Sequence, residues 1–195
     1  MLLNVCLEKK YAFKKDQPVL DGLVCTSSPL DLKACSASIE RPRNRVYQRW
    51  LLRRLVRQTL ADPFGVTDRE REFLSSKTRA SNLTTIRAFD SAITAPRWGY
   101  KDVDDYYSEA SPLNKLSQFQ SWLPPTLILQ SLDDPWVPSL GAQQLAERTS
   151  YKQFERLQVI LTENGGHNGF HGVKGCWGDL LVEKWLTKLS LDFLA

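Results

Sequence analysis

With only two histidines among 195 residues, the chain has little imidazole with which to build a site. Its four cysteines, Cys6, Cys25, Cys35 and Cys176, contain no CxxC pair and share no metal-ligand spacing with the histidines. A zinc site and a redox dithiol are therefore both excluded, and neither a metal nor a cofactor is expected. Cys25 sits in an apolar run where a small hydrophobe fits, so a reduced, cytoplasmic setting is the expectation. No apolar run approaches the roughly eighteen residues of a membrane span, and the opening MLLNVCLEKK lacks the basic start and long apolar centre of a signal peptide. No transmembrane segment is expected. Internal repeats, low-complexity tracts and RNP, zinc-finger or helix-turn-helix signatures are also missing, which argues against nucleic acid as a partner.

What is present is the composition of an ordinary folded domain, 42% hydrophobic and 25% charged, long enough to bury one core. The net charge of +4 is local, because seven arginines crowd the stretch RPRNRVYQRWLLRRLVR from Arg41 to Arg57. On a helix, Arg45, Arg49, Arg53 and Arg57 line one face, and Val46, Trp50, Leu51, Leu55 and Val56 supply apolar area around the remaining circumference. This is a surface helix with a solvated basic face. The alternative, a non-enzymatic binding module, would use residues 41–57 on anionic lipid.

Three short apolar runs end in polar or glycine-containing loops, as buried parallel strands do: VLDGLVCTSS at 19–28, TLILQSL at 126–132 and LQVILTE at 157–163. Helical patterns follow the second and third, at 140–150 and at 176–194, the latter with a stripe of Leu180, Leu181, Trp185, Leu186 and Leu189. Strand and helix alternating in this way give an α/β fold with a parallel sheet. Residues 42–113 break the alternation and read as an inserted helical cap. Within it the proline of AITAPRWGY, Pro96, should end a helix before the aromatic pair, and Trp98, Tyr100, Tyr106 and Tyr107 should be partly buried between cap and core.

Ligand chemistry in open parallel sheets collects at the carboxyl ends of strands. Asp134 follows the second strand in LDDPWVP, where prolines stiffen the turn. His167 follows the third in ENGGHNGF, where glycines permit a tight path. A strand-end carboxylate can fix the imidazole tautomer and stabilise the imidazolium formed when the ring takes a proton from a nucleophile. Asp133 competes as the acid, but the Asp134 to Pro138 spacing suits a rim turn. His171 competes as the base but lies beyond the glycine loop.

At these residues the chain resembles the YheT-like branch of the α/β-hydrolase superfamily, which includes lipases and esterases with a helical cap. The resemblance runs through SSPLDLKACSASIE, NRVYQRWLLRRL, TIRAFDSAITAPRWGYKDVDDYYSEAS, PTLILQSLDDPWVP and ENGGHNGF. It implies Asp134 and His167 as acid and base of a Ser-Asp-His triad cleaving a small acyl-ester or lipid substrate through an acyl-enzyme. Such proteins carry their serine on a glycine-rich elbow leading into an apolar helix, and MLLNVCLEKK resembles that helix without the elbow. The expectation is a C-terminal half with no nucleophile of its own, inactive alone, whose partner is a complementary N-terminal half. Ser27 and Ser28 lie at the end of the first strand without a glycine elbow, and the first strand should present an unpaired apolar edge.

Overall fold

The computed structural model describes residues 2–8, 13–14, 17–18, 20–76, 83–119, 123–150, 156–173 and 175–192. Val19, at the start of the first expected strand, and Phe193 and Leu194, at the end of the last expected helix, lie outside the described residues. In chain order the elements are α1 (Leu2–Cys6), β1 (Phe13–Lys14), β2 (Gln17–Pro18), β3 (Leu23–Thr26), α2 (Leu32–Ile39), α3 (Arg45–Ala61), α4 (Asp68–Ser75), α5 (Ile86–Phe89), α6 (Ala95–Arg97), α7 (Val103–Ala110), α8 (Pro112–Phe119), β4 (Thr126–Ser131), α9 (Leu140–Ser150), β5 (Leu157–Thr162), β6 (His171–Gly172), β7 (Gly175–Cys176) and α10 (Trp177–Asp192). They fall into two compact units, Met1–Asp31 with Ser111–Ala195, and Leu32–Ala110.

The first unit is built on β4, which is buried along its entire length and pairs in parallel with β3 on one side and β5 on the other. A strand with two neighbours has its amides and carbonyls hydrogen-bonded on both edges, so an unbroken apolar run can be buried on both faces. Leu127, Ile128 and Leu129 expose no surface. Leu3, Cys6, Leu7, Leu23, Leu116 and Leu145 complete the core around Ile128, each fully buried leucine contributing about 1.5–3 kcal/mol.

The edge strand β3 is shorter than its apolar run. Gly22 packs so closely on α10 that a Cβ there would stand 2.5 Å from Leu189 Cδ2, and Ser27 turns the chain away at φ 46°. Along β3 burial fades from Leu23 to the exposed Thr26, and no second neighbour pairs with it among the described residues. Helix α10 corrects the expected stripe. Leu180 and Leu186 face outward, whereas Leu181, Trp185 and Leu189 lie inward one turn apart, Trp185 Nε1 donating to Gln158 Oε1 at 3.0 Å.

The second unit is helical. Arg45, Arg49, Arg53 and Arg57 are all exposed on α3, as their spacing requires, but Val46 and Trp50 stand out among them, 81% and 51% exposed. Leu52 instead turns inward to pack with Leu74, Phe89 and Ile93. Pro96 lies inside α6, which ends one residue later at Arg97, before the aromatic Trp98 and Tyr100. The five residues Asp90–Thr94 form a π-helical segment between α5 and α6, and Pro96 follows after Ala95. The widened turn accommodates a ring that has no N–H to give and would crowd the carbonyl one turn back. Gly99 then turns the chain at φ 77°. Trp98, expected to be partly buried, is 72% exposed, while Tyr107 is buried with its hydroxyl donating to Asp90 Oδ2 at 2.7 Å. Thr94 donates to the other oxygen of Asp90 at 2.7 Å.

Glu70 ties this unit together. Its amide donates to Thr67 Oγ1 and its carboxylate accepts from the Thr67 amide, a reciprocal cap on α4. The same carboxylate takes two hydrogen bonds from Arg97, at 2.9 and 3.0 Å. Arg97 is the main reason the Glu70 carboxyl sits at about 2; burial opposes it, and the Thr67 amide and hydroxyl add to it. A carboxyl lowered by folding adds stability above its ordinary value of 4.5, and that stability disappears as pH falls towards 2. Glu70→Ala should therefore lower unfolding free energy by about 1–3 kcal/mol at neutral pH. In urea titrations the gap between variant and parent should narrow steadily below pH 4.5.

Candidate active site

Two loops meet at the carboxyl ends of β4 and β5. In the first, Asp134 Oδ1 accepts the amides of Trp136 and Val137, each at 2.9 Å, with Pro135 fixing the backbone between them. This local turn holds the carboxylate with its second oxygen facing β5. There Oδ2 lies 3.0 Å from His167 Nδ1 and takes a further bond from Gln130 Nε2 at 3.3 Å. The Asp134 side chain has no exposed surface. Burial is the largest single influence on its carboxyl and pushes it up, but the bond to His167 and the Val137 and Trp136 amides together outweigh burial. The net position is below the ordinary carboxylate value, so Asp134 is ionised at neutral pH.

The second loop carries His167 through a run of left-handed residues, Gly166 at φ 58°, Asn168 at φ 59° and Phe170 at φ 45°. Phe170 anchors it, buried and meeting Trp177 edge-on at 5.2 Å. Gly165 makes that anchor possible, because a Cβ there would stand 2.5 Å from the Phe170 ring. Trp136 lies edge-on to the imidazole, centroids 4.8 Å apart. The His167 side chain is 25% exposed. With Nδ1 turned to the carboxylate, Nε2 is the nitrogen left to exchange a proton, and Asp134 can stabilise the resulting cation.

The structure thus brings together Asp134 and His167. Both competitors lie apart from this contact. The exposed Asp133 directs Oδ1 to the Gly166 amide at 2.8 Å, the chief reason its carboxyl also lies below the ordinary value. His171 is exposed on the short β6–β7 ladder, paired with Cys176. Ser27 is buried and its Oγ accepts the Asn168 amide at 3.1 Å; Ser28 is half-buried. The sequence reading missed Trp136, Gln130 and the bond from Asn168 to Ser27. Trp136 stands in the LDDPWVP turn itself, but no spacing there places its ring against the imidazole. The Ser27 bond spans 141 positions and leaves no local trace.

No protein-family model matches the chain, and no solved structure does. Among curated proteins, YheT of Escherichia coli, named as an esterase, is 36% identical over 184 residues, covering 92% of this chain and 48% of its own length. Phospholipase ABHD3 of Homo sapiens is 33% identical over 146 residues, 74% of this chain and 32% of its own. The medium-chain fatty acid ethyl ester synthase/esterase 2 of Saccharomyces cerevisiae is 27% identical over 57% of this chain and 23% of its own. The chain therefore spans about half or less of the length of these relatives.

Gly165→Ala checks the anchor. The added methyl must displace the Phe170 ring, an overpacking cost of about 1–3 kcal/mol. Denaturant unfolding should show that loss, and near-ultraviolet dichroism should show the Phe170–Trp177 pair altered; an unchanged spectrum would mean the loop does not depend on this close approach.

Proposed function

Over most of its length this chain belongs to the α/β-hydrolase family, in its YheT-like branch, and we propose that it supplies the acid and base of a serine esterase. The observation that carries the reading is the contact between the buried Asp134 carboxylate and His167 Nδ1. In this mechanism His167 Nε2 takes the proton of a serine hydroxyl as its oxygen bonds to the ester carbonyl carbon. The imidazolium then gives that proton to the departing alkoxide, leaving an acyl-enzyme. Water attacks the acyl carbon by the same route, regenerating serine and releasing the carboxylic acid. Asp134 keeps its charge throughout and holds the ring so that Nε2 faces the reaction.

The attacking serine in this reading comes from protein outside these 195 residues. Ser27 and Ser131, which reach the histidine loop, are engaged there, Ser27 accepting from Asn168 and Ser131 donating to the Gly166 carbonyl at 2.7 Å. The second edge of β3 is where a strand of a complementary N-terminal half would add, since unpaired backbone groups on an apolar edge favour pairing. Residues 42–113 serve as a cap selecting the acyl group. The names of the relatives, an esterase, a phospholipase and a fatty acid ethyl ester esterase, support an acyl-ester or lipid substrate. All four cysteines are free thiols, which suits the cytoplasm. No helix among the described residues is long and apolar enough to cross a membrane. A second reading, docking of α3 on anionic lipid, is favoured by Val46 and Trp50 standing exposed among the arginines. Sedimentation with phosphatidylglycerol vesicles at low salt, with Arg49→Glu as the control, decides it.

A fluorophosphonate probe tests the main reading. The chain alone should remain unlabelled, and co-expression with an N-terminal half bearing the glycine-serine elbow should restore labelling and ester turnover. His167→Ala or Asp134→Asn should then lower kcat by about 10²- to 10⁴-fold. Labelling of Ser27 or Ser28 in the chain alone would overturn the assignment and make that serine the nucleophile.

A further inference from the structure

The tight loop that carries His167 has no regular secondary structure to hold it. Its backbone alternates through left-handed conformations at Gly166, Asn168 and Phe170, and for a bulky residue such as Phe170 that conformation is uphill by about 1 kcal/mol or more. Conformations of this kind persist only where surrounding groups over-determine them. Besides the Ser131 hydroxyl, which donates to the Gly166 carbonyl at 2.7 Å, the amides of the residues on either side of His167 show what does so here. The Gly166 amide, just before the histidine, donates to Asp133 Oδ1 at 2.8 Å. The Asn168 amide, just after it, donates to Ser27 Oγ at 3.1 Å. The two acceptors come from the ends of different strands, Asp133 beyond β4 and Ser27 beyond β3, so the loop leaving β5 is fastened across all three strands of the sheet.

Ser27 carries a mark of its own. Its amide still donates to the Leu129 carbonyl at 2.9 Å, continuing the ladder, yet its φ of 46° is one that residues other than glycine seldom adopt. Its side chain is buried, at 2% exposure, and its hydroxyl oxygen faces the histidine loop. A glycine would relieve the backbone but would bring no oxygen. The chain has a strained serine at the point where the Asn168 amide needs an acceptor.

We propose that Ser27 and Asp133 are positioning residues for His167, clamping the amides on either side of it so that Nδ1 stays on Asp134 and Nε2 is aimed at the reacting atoms. The proposal rests on the triad reading and extends it. Neither residue touches substrate or exchanges a proton. Each acts through the direction of the ring, to which proton transfer is sensitive, since a misplacement of about 1 Å can cost about a hundredfold in rate.

The chain as it stands permits a test that does not depend on turnover. With only two histidines and His171 exposed, a low-field, slowly exchanging imidazole proton in the NMR spectrum belongs to His167 Nδ1, and its loss in His167→Gln verifies the assignment. In Ser27→Ala and in Asp133→Ala that proton should vanish or exchange at least about tenfold faster, with the amide spectrum still that of a folded chain. Ser27→Gly, free of backbone strain but lacking the oxygen, should behave like Ser27→Ala, which separates the clamp from the strain. Asp133→Asn keeps an acceptor oxygen and should rescue the signal. In the enzyme completed with an elbow-bearing half, Ser27→Ala should lower kcat by about 10- to 100-fold with KM changed less than about twofold.

A signal present in the parent and unaltered in Ser27→Ala and Asp133→Ala would sink the clamp and leave the triad reading intact. A parent chain without the signal would sink the Asp134–His167 pair and the clamp with it. Unfolding of both Ser27 variants would also overturn the proposal, because Ser27 would then be holding the fold and not the loop.

Discussion

The double pairing of β4 is the constraint from which the site follows. A strand with no exposed residue needs its backbone amides and carbonyls matched, and β5 pairs with it in parallel register from Thr126 to Ser131 while β3 does so from Thr126 to Leu129. Parallel pairing places the carboxyl ends of neighbouring strands at the same rim. Asp134 and His167, 33 positions apart, therefore emerge side by side. Only short-range chemistry remains to be arranged: an Asp turned by its own following amides, and a histidine loop whose glycines let Phe170 tuck beneath it.

The helical unit solves a different problem, the burial of polar groups without a sheet. Asp90 is taken largely out of water, which raises its carboxyl; the Thr94 and Tyr107 hydroxyls, both donating to it, offset part of that shift. Asp90 and Thr94 lie on the π-helical segment and Tyr107 on α7, so the widened turn that tolerates Pro96 supplies one donor to the acid and α7 the other. Glu70 and Arg97 repeat the principle near the surface with a full ion pair. Both arrangements sit in the longest stretch of the family resemblance or bind directly to it, which gives a physical reason for that stretch to be distinctive.

Legibility in the sequence tracked how local each cause was. TLILQS and LQVILT could be read as strands because burial on both faces or most of one leaves an apolar run, and the structure bounds them within a residue of that reading. Helix α10 was recognisable as a helix, but its inward face was not. Leucines at 180, 181, 186, 189 and 191 lie on several sides of it, and only the close approach of Gly22 to Leu189 decides which side is buried. The turn at Asp134 was readable from its flanking prolines. Size and apolarity point to a partly buried Trp98, a tendency that tertiary packing overrides, since it is 72% exposed. The link from Ser27 to Asn168 had no precursor in the sequence, since it exists only once three strands stand in order.

The amide of Leu113 donates to the carbonyl of Leu30 at 3.1 Å, so the chain returns to the sheet-bearing unit within one hydrogen bond of where it left. The entropy of closing a loop rises only logarithmically with its length once the two ends are fixed side by side. Whatever occupies the interval is thus nearly invisible to the strands on either side of it. In evolutionary terms the interval is a socket: its contents can be lengthened, shortened or exchanged by recombination while the registers of β3 and β4, and the rim they define, are inherited unchanged.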